Sequence, residues 1–345
     1  MGACVLVRRA PRARLAEETR MTNRRRAALV WALAALCGSA ASQGARRPAR
    51  VGWLGWSGDT APAPDLPLRA FREGRAEAGW REGQNLVLVQ RLGDRDQAAT
   101  LAAELMREHV DVVAAMGPMS ILARQAVGAT PLVFAINGDP VEAGLVSSLA
   151  QPGGGITGLT ALSTELAGKR LEWLKVARPA LSRVALLAND RHPGRVIEQQ
   201  ATLAAAQRLG LAAKYFALRA ATDLDAVLAA IAAEPFGALL AFPDTLINRQ
   251  ARAIAEFSQQ RKLPSISGWS EFALAGNLMS YGPRHAEYFR HVATYVDRIL
   301  RGARPAALPV EQPTRIELVI NQTAAKAIGL ALPKSLVARA DEVVG

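Results

Sequence analysis

Residues 110–140 read VDVVAAMGPMSILARQAVGATPLVFAINGDP, and the fold class follows from this stretch. Two apolar runs, VDVVAAM (110–116) and LVFAI (132–136), end in Gly117-Pro118 and in Asn137-Gly138-Asp139-Pro140. Runs this short and this apolar, closed by turn residues, predict buried strands. Residues 120–127 between them predict a helix. A strand, a helix and a strand in so short a span imply parallel pairing, because the helix carries the chain back to the starting edge.

The same rhythm extends in both directions. Upstream, VGWLGW (51–56) predicts a first strand, 66–79 a helix, NLVLVQ (85–90) a strand and 97–109 a helix. Downstream, Gln151-Pro-Gly-Gly-Gly155 breaks the pattern and predicts a flexible crossing point. The alternation then resumes with a helix over 165–177, RVALL (183–187), a helix over 195–209 and a strand over 213–218. It continues with a helix over 224–233, ALLAF (238–242), one helix over 247–261 and strands over 265–267 and 278–281. A long helix over 285–300, IELVI (316–320) and helical pieces at 323–328 and 335–340 complete it. The halves share architecture without a residue repeat. The expectation is an α/β chain of two lobes, each a mostly parallel sheet flanked by helices, joined by a hinge. Residues 50–160 and 283–312 are assigned to lobe 1, and 161–282 and 313–345 to lobe 2. A length of 345 residues exceeds what one core usually supports.

The formal charge of +12 invites a nucleic-acid reading, but its distribution argues against one. Residues 1–41 hold eight arginines against Glu17 and Glu18; without them 34 basic and 28 acidic side chains remain, a formal +6. The rest are scattered, as on a solvated surface. Arg24-Arg25-Arg26, the apolar run AALVWALAAL (27–36) and the small residues Gly38-Ser39-Ala40-Ala41 follow the order of a cleavable secretory signal. Residues 1–41 are therefore read as an upstream extension plus signal peptide, with Met21 an alternative start. The apolar run is too short for a permanent span. Cys4 and Cys37 both lie in this leader, so cleavage near Ala41 would remove all thiol chemistry. Leu33-Ala-Ala-Leu-Cys37 approaches a lipobox, but Leu36 stands where a small residue is wanted, which disfavours lipid anchoring. The expected location is the periplasm.

Two sheets of this kind bind ligands at the carboxyl ends of their strands, so the residues just after strands are the candidates. They are Trp56, Ser57 and Gly58 after the first strand, and Gly117, Pro118 and Ser120 after the third. Asn137 and Asp139 follow the fourth. Asn189, Asp244, Trp269, Glu271 and Tyr281 occupy the matching places in the second half. Small residues at helix N-termini expose amides to an anion. Asp or Glu can meet an amine, and Trp or Tyr can stack on a ring. Each has a plainer reading: Asp139 and Asp244 as helix caps, Trp56 and Trp269 as packing, Tyr281 as part of a turn.

Searches for catalysis find little. His109, His192, His285 and His291 have no metal-ligand spacing, and the chain has no Gly-x-Ser-x-Gly elbow or Walker loop. No enzyme activity, metal or cofactor is expected.

The chain resembles the family of ABC transporter substrate-binding proteins that includes tryptophan- and tyrosine-binding members. The likeness runs from about Val51 to Val343. It is carried by Phe71-Arg-Glu-Gly74, Gly79-Trp-Arg-Glu-Gly-Gln-Asn85, Ala102-Ala-Glu-Leu105, Pro131-Leu-Val-Phe134, Gly138-Asp-Pro-Val141 and Gly144-Leu-Val146. It continues through Leu149-Ala-Gln-Pro-Gly153, Ile156-Thr-Gly158, Gly168-Lys-Arg-Leu171, Met279-Ser-Tyr-Gly282 and Ala293-Thr-Tyr-Val-Asp-Arg-Ile-Leu300. Leu308-Pro-Val-Glu-Gln-Pro-Thr314, Glu317-Leu-Val-Ile-Asn321, Ala324-Ala-Lys-Ala-Ile-Gly-Leu330 and Ala338-Arg-Ala-Asp341 complete it. The resemblance implies a periplasmic-binding-protein fold with a hinge crossed more than once. It also implies an amino acid or similar solute as ligand, and an inner-membrane ABC permease as partner. Trp56-Ser57-Gly58 and Gly117-Pro118-Met119-Ser120 depart from the family's usual loops and leave the ligand open. A monomer and no nucleic acid are expected. A sensory receptor that signals without transport is the alternative. A cytoplasmic repressor would need a DNA-binding helix-turn-helix where the leader stands.

Overall fold

The apolar runs pair side by side into two sheets. The computed structural model describes residues 1–2, 47–56, 66–161, 164–192 and 194–345. The leader read above, together with Ser57 and Gly58, lies outside the described residues.

The first sheet contains β1 (Ala49–Trp56), β2 (Leu86–Gly93), β3 (Val112–Met116), β4 (Leu132–Ile136) and β5 (Ile156–Thr160), in the order β2-β1-β3-β4-β5. All neighbours are parallel, with Val51 opposite Val112 and Val113 opposite Leu132. β3 and β4 are buried at every residue, as strands covered on both faces must be. Alternate residues face opposite layers. Val51 and Trp53 pack with Phe71 of the Leu66–Glu77 helix and Val292 of the His285–Leu300 helix. Leu54 and Val113 pack with Leu105 of the Ala98–Arg107 helix and Met119 of the Pro118–Ala126 helix.

The glycine-rich stretch does not carry the chain out of this sheet. Gly153 and Gly154 adopt φ of +77° and +60°, which only glycine takes without strain, and they turn the chain back into β5. β5 is a strand that the sequence pattern did not announce. Gly158 lies so close to β4 that an added Cβ would collide with the Phe134 backbone. The chain leaves the sheet only after β5.

The second sheet contains β6 (Arg183–Asn189), β7 (Ala212–Leu218), β8 (Ala238–Ala241), β9 (Ser265–Ser267), β10 (Met279–Pro283), β11 (Ile316–Asn321) and β12 (Glu342–Val344). Its order is β12-β11-β10-β9-β8-β6-β7. Every pair is parallel except β10 with β11. The exception has a mechanical cause. The chain leaves β10 toward the first sheet, contributes the His285–Leu300 helix there, and returns to start β11 at the end where β10 stopped. Val184, Leu186 and Ala188 face the layer of the Thr164–Ala177 and Arg195–Arg208 helices. Ala185 and Leu187 face the layer of the Leu224–Ala232 and Ala251–Gln260 helices. Gly168 lets the first pair close up, since a Cβ there would stand 3.2 Å from that of Ala205.

The stretch read as one helix over 247–261 is two, Thr245–Arg249 and Ala251–Gln260, separated at Gln250. Among the described residues no helix is long and apolar enough to cross a membrane.

Candidate functional site

A cavity of about 550 Å³ lies where the carboxyl ends of both sheets face each other. That is the size range of small-molecule sites. Each wall follows from strand topology. From the first sheet come Trp53 and Trp56 of β1, Met116 and Gly117 after β3, and Ile136 and Asn137 after β4. Tyr288 and Phe289, from the first turn of the His285–Leu300 helix, complete an apolar face. From the second sheet come Asp244, Thr245, Asn248 and Arg249 after β8, and Trp269 and Glu271 after β9. Pro283 and His285 sit where the chain passes from β10 to the other lobe.

The two faces therefore differ. Lobe 1 offers mostly rings and aliphatic groups, with the Asn137 amide and the Arg69 guanidinium, and lobe 2 offers two carboxylates, an amide, a guanidinium and the Trp269 ring. They also touch directly. The Asn137 amide donates to the Pro243 carbonyl. Arg249 lies over the Trp56 ring, 4.9 Å from its centroid. Arg95 donates to the Arg191 carbonyl at 3.1 Å beside the cavity. Gly138 and Gly194 pass so closely that a Cβ on Gly194 would stand 3.3 Å from Gly138 Cα.

Two buried polar groupings shape the electrostatics. His285 stacks on Trp269, with centroids 4.2 Å apart and planes at 15°, and its Nδ1 lies 2.9 Å from Glu271 Oε1. Burial pushes the Glu271 carboxyl up, but the charge and hydrogen bond of His285 outweigh it and hold the group below the usual carboxylate range. Behind the lobe 2 wall, Arg170 and Glu198 form a buried ion pair at 3.3 Å. Burial and the charge of Asp244 push Glu198 up to about 7, against the pull of Arg170. Burial also pushes His192 down and favours its neutral form, against the attraction of Asp244, which favours the charged one.

Each described residue named from the sequence has a definite place. Trp56, Gly117, Pro118 and Asn137 line the cavity from lobe 1, and Asp244, Trp269 and Glu271 from lobe 2. Asp244 is also a helix cap: its Oδ1 accepts from the Leu246 amide at 2.8 Å and from Asn189 Nδ2 at 3.0 Å. Asn189 thus holds Asp244 and stands at a smaller side opening. Asp139 caps the Val141 amide at 2.8 Å and borders a side opening on the other flank. Ser120 is fully buried and donates to the Ala115 carbonyl at 2.8 Å, turned from the cavity. Tyr281 also faces away, edge-on to Trp173 at 5.9 Å, while its carbonyl accepts from Arg170 Nε at 2.9 Å. Ser57 and Gly58 are outside the described residues.

The strand-end rule missed His285, Asn248, His192 and Arg69, which also line the cavity. Asn248 was findable, since it lies four residues beyond Asp244 and so on the same helical face. His285 was signalled only by its place two residues after Tyr281-Gly-Pro283. Among the described residues no group of His, Cys, Asp or Glu is placed to hold a metal ion.

Comparison with known proteins agrees with this fold. The model of the family described as ABC transporter substrate binding protein matches residues 60–344. The tyrosine-binding protein of Clostridioides difficile (strain R20291) is 21% identical over 273 residues, 78% of each chain. The solved ABC domain in complex with L-Trp from Streptococcus pneumonia superposes with a TM-score of 0.78 at 23% identity, covering 86% of this chain and all of that one. A conserved domain protein from Vibrio cholerae O1 biovar El Tor str. N16961 gives a TM-score of 0.80 at 26% identity, with the same coverage.

Proposed function

The chain belongs to the ABC transporter substrate-binding protein family, and on that premise we propose that it is the periplasmic solute-binding component of an ABC-type importer. It is a binding component and not an enzyme. In this reading a small molecule, an amino acid or another aromatic or carboxylate-bearing solute, enters between the open lobes. The hinge then closes, because the solute touches both walls only in the closed form. The closed surface engages a permease in the inner membrane. The signal at residues 1–41 takes the protein there. The lobes divide as residues 50–160 with 283–312 and residues 161–282 with 313–345.

The observation that carries this reading is the cavity itself. It is walled by loops from both sheets, and the two walls meet directly through Asn137 and Pro243. Trp56 and Trp269 supply ring surface on opposite walls, and Asp244 and Glu271 supply charge. Such a site can be complete only when the lobes are together.

The test is a thermal-shift screen of protein that has been unfolded and refolded to strip any retained solute. The library holds amino acids, aromatic acids, nucleosides and short peptides. A solute at a hundred times its Kd adds about 2.7 kcal/mol to stability, a readable rise in Tm. A rise with an aromatic or other amino acid supports the reading. No rise with any of them removes the amino-acid assignment.

A further inference from the structure

The imidazole of His285 is held on three sides. Trp269 stacks on it at 4.2 Å and 15°, and Phe289, one helical turn further on, meets it at 4.7 Å and 67°. Nδ1 lies 2.9 Å from Glu271 Oε1. The plane of the ring and the direction of its edges are therefore both fixed. His285 lines the cavity. Its second nitrogen, Nε2, makes no hydrogen bond among the described residues, and it keeps accessible surface where Glu271 Oε2 is shut away.

A carboxylate only accepts, so Nδ1 carries the proton that joins His285 to Glu271. The hydrogen bond at one ring nitrogen decides the role of the other. In the neutral ring Nε2 holds a lone pair, and the carboxylate behind the ring makes that lone pair more basic. An imidazolium would present N–H instead and call for an anion, yet Asp244 and Glu271 make this wall negative. A solute that fills the cavity displaces solvent from Nε2. It must then bring a donor of its own or leave an acceptor buried and unpaired. The neighbours of His285 at the cavity are the rings of Trp269, Tyr288 and Phe289. A neutral donor attached to a ring is the complement of such a place, because it adds no charge to an aromatic wall.

We propose that His285 is a specificity residue whose Nε2 accepts a hydrogen bond from an N–H or O–H on the aromatic ring of the solute. This rests on the solute-binding reading above and deepens it: a ring with a polar edge is selected over the same ring without one. Glu271 acts through His285 by keeping the proton on Nδ1.

The test is titration calorimetry on the refolded protein with three matched pairs: L-tyrosine against L-phenylalanine, L-tryptophan against 1-methyl-L-tryptophan, and indole against 1-methylindole. Within a pair the donor-bearing member should bind about tenfold tighter or more. His285→Phe keeps a ring against Trp269 and should bring that ratio to about one by removing the acceptor, with the donorless member little changed. His285→Gln, whose side-chain carbonyl can still accept, should keep part of the ratio. Glu271→Gln can donate to Nδ1 and release the other tautomer, so it should lower the ratio whatever it does to affinity as a whole. A loss shared equally by both members of a pair would mark a purely structural role and overturn the proposal. So would equal binding of both members by the wild type, which leaves solute binding standing, or a preference that survives His285→Phe. A preference confined to the indole pair keeps the role of His285 and removes the amino-acid reading. Failure of all six to bind overturns both.

Discussion

Gly194→Val tests whether the lobes must meet for the solute to be held. Gly194 has φ −83° and ψ 7°, a conformation open to any L-residue, so the substitution does not strain the backbone. What it changes is the space between the lobes. A Cβ there would stand 3.3 Å from Gly138 Cα and 3.5 Å from the Asn137 carbonyl oxygen. Both are backbone atoms of the opposite lobe and cannot swing aside. The Val methyls reach about one bond further, ~1.5 Å, and the gap cannot hold them. Overpacking of this kind costs about 1–3 kcal/mol, and it falls on the closed form alone. Because about 1.4 kcal/mol is tenfold in affinity, Kd should rise about 5- to 150-fold. Calorimetry with the tightest solute from the screen measures this. Small-angle scattering should show wild type contracting on saturation and the variant contracting only at higher solute concentration. A folded variant with wild-type Kd would refute the account of closure.

Three further outcomes concern the scaffold. Glu198 titrates near 4.5 when unfolded and at about 7 when folded, raised by burial and Asp244. The folded form therefore holds an extra proton in that window, and stability falls as pH rises through it, by about 3 kcal/mol in all. Glu198→Gln should flatten the profile of unfolding free energy between those pH values, and an unaltered slope would remove Glu198 as its source. Tyr288→Phe deletes a hydroxyl that lies 2.9 Å from both the Ile136 and Leu159 carbonyls, so denaturant titration should show a loss of about 1–2 kcal/mol. Gly158→Ala drives a methyl into the Phe134 backbone and should cost more than about 3 kcal/mol, read as a large fall in Tm or a loss of soluble protein.

The strands legible in the sequence are those buried on both faces, such as β3, β4, β6 and β8. There the need to cover two surfaces writes an unbroken apolar run. β5 was hidden because its sequence, ITGLT, holds a glycine and two threonines, and its partner β4 needs that glycine for close approach. β12 is three residues long and pairs on one side only, too little to leave a pattern. The cavity wall was readable where it hangs directly on strand ends, as at Trp56, Asn137, Asp244 and Glu271. It was unreadable where tertiary folding imports residues. His285 meets Glu271 only because the chain crosses between the lobes, and Ser120 turns inward because a backbone carbonyl captures its hydroxyl.

The late return of the chain to the first sheet sets an order for assembly. One face of that sheet is covered by the His285–Leu300 helix, whose Val292, Tyr295 and Val296 complete the core around Val51 and Trp53. A chain emerging amino end first has made all five strands by Thr160, yet that face is covered only by the Leu66–Glu77 helix until Leu300 has followed. Neither lobe can therefore be released as a single uninterrupted fragment. The first core therefore cannot be completed until most of the chain has been synthesised.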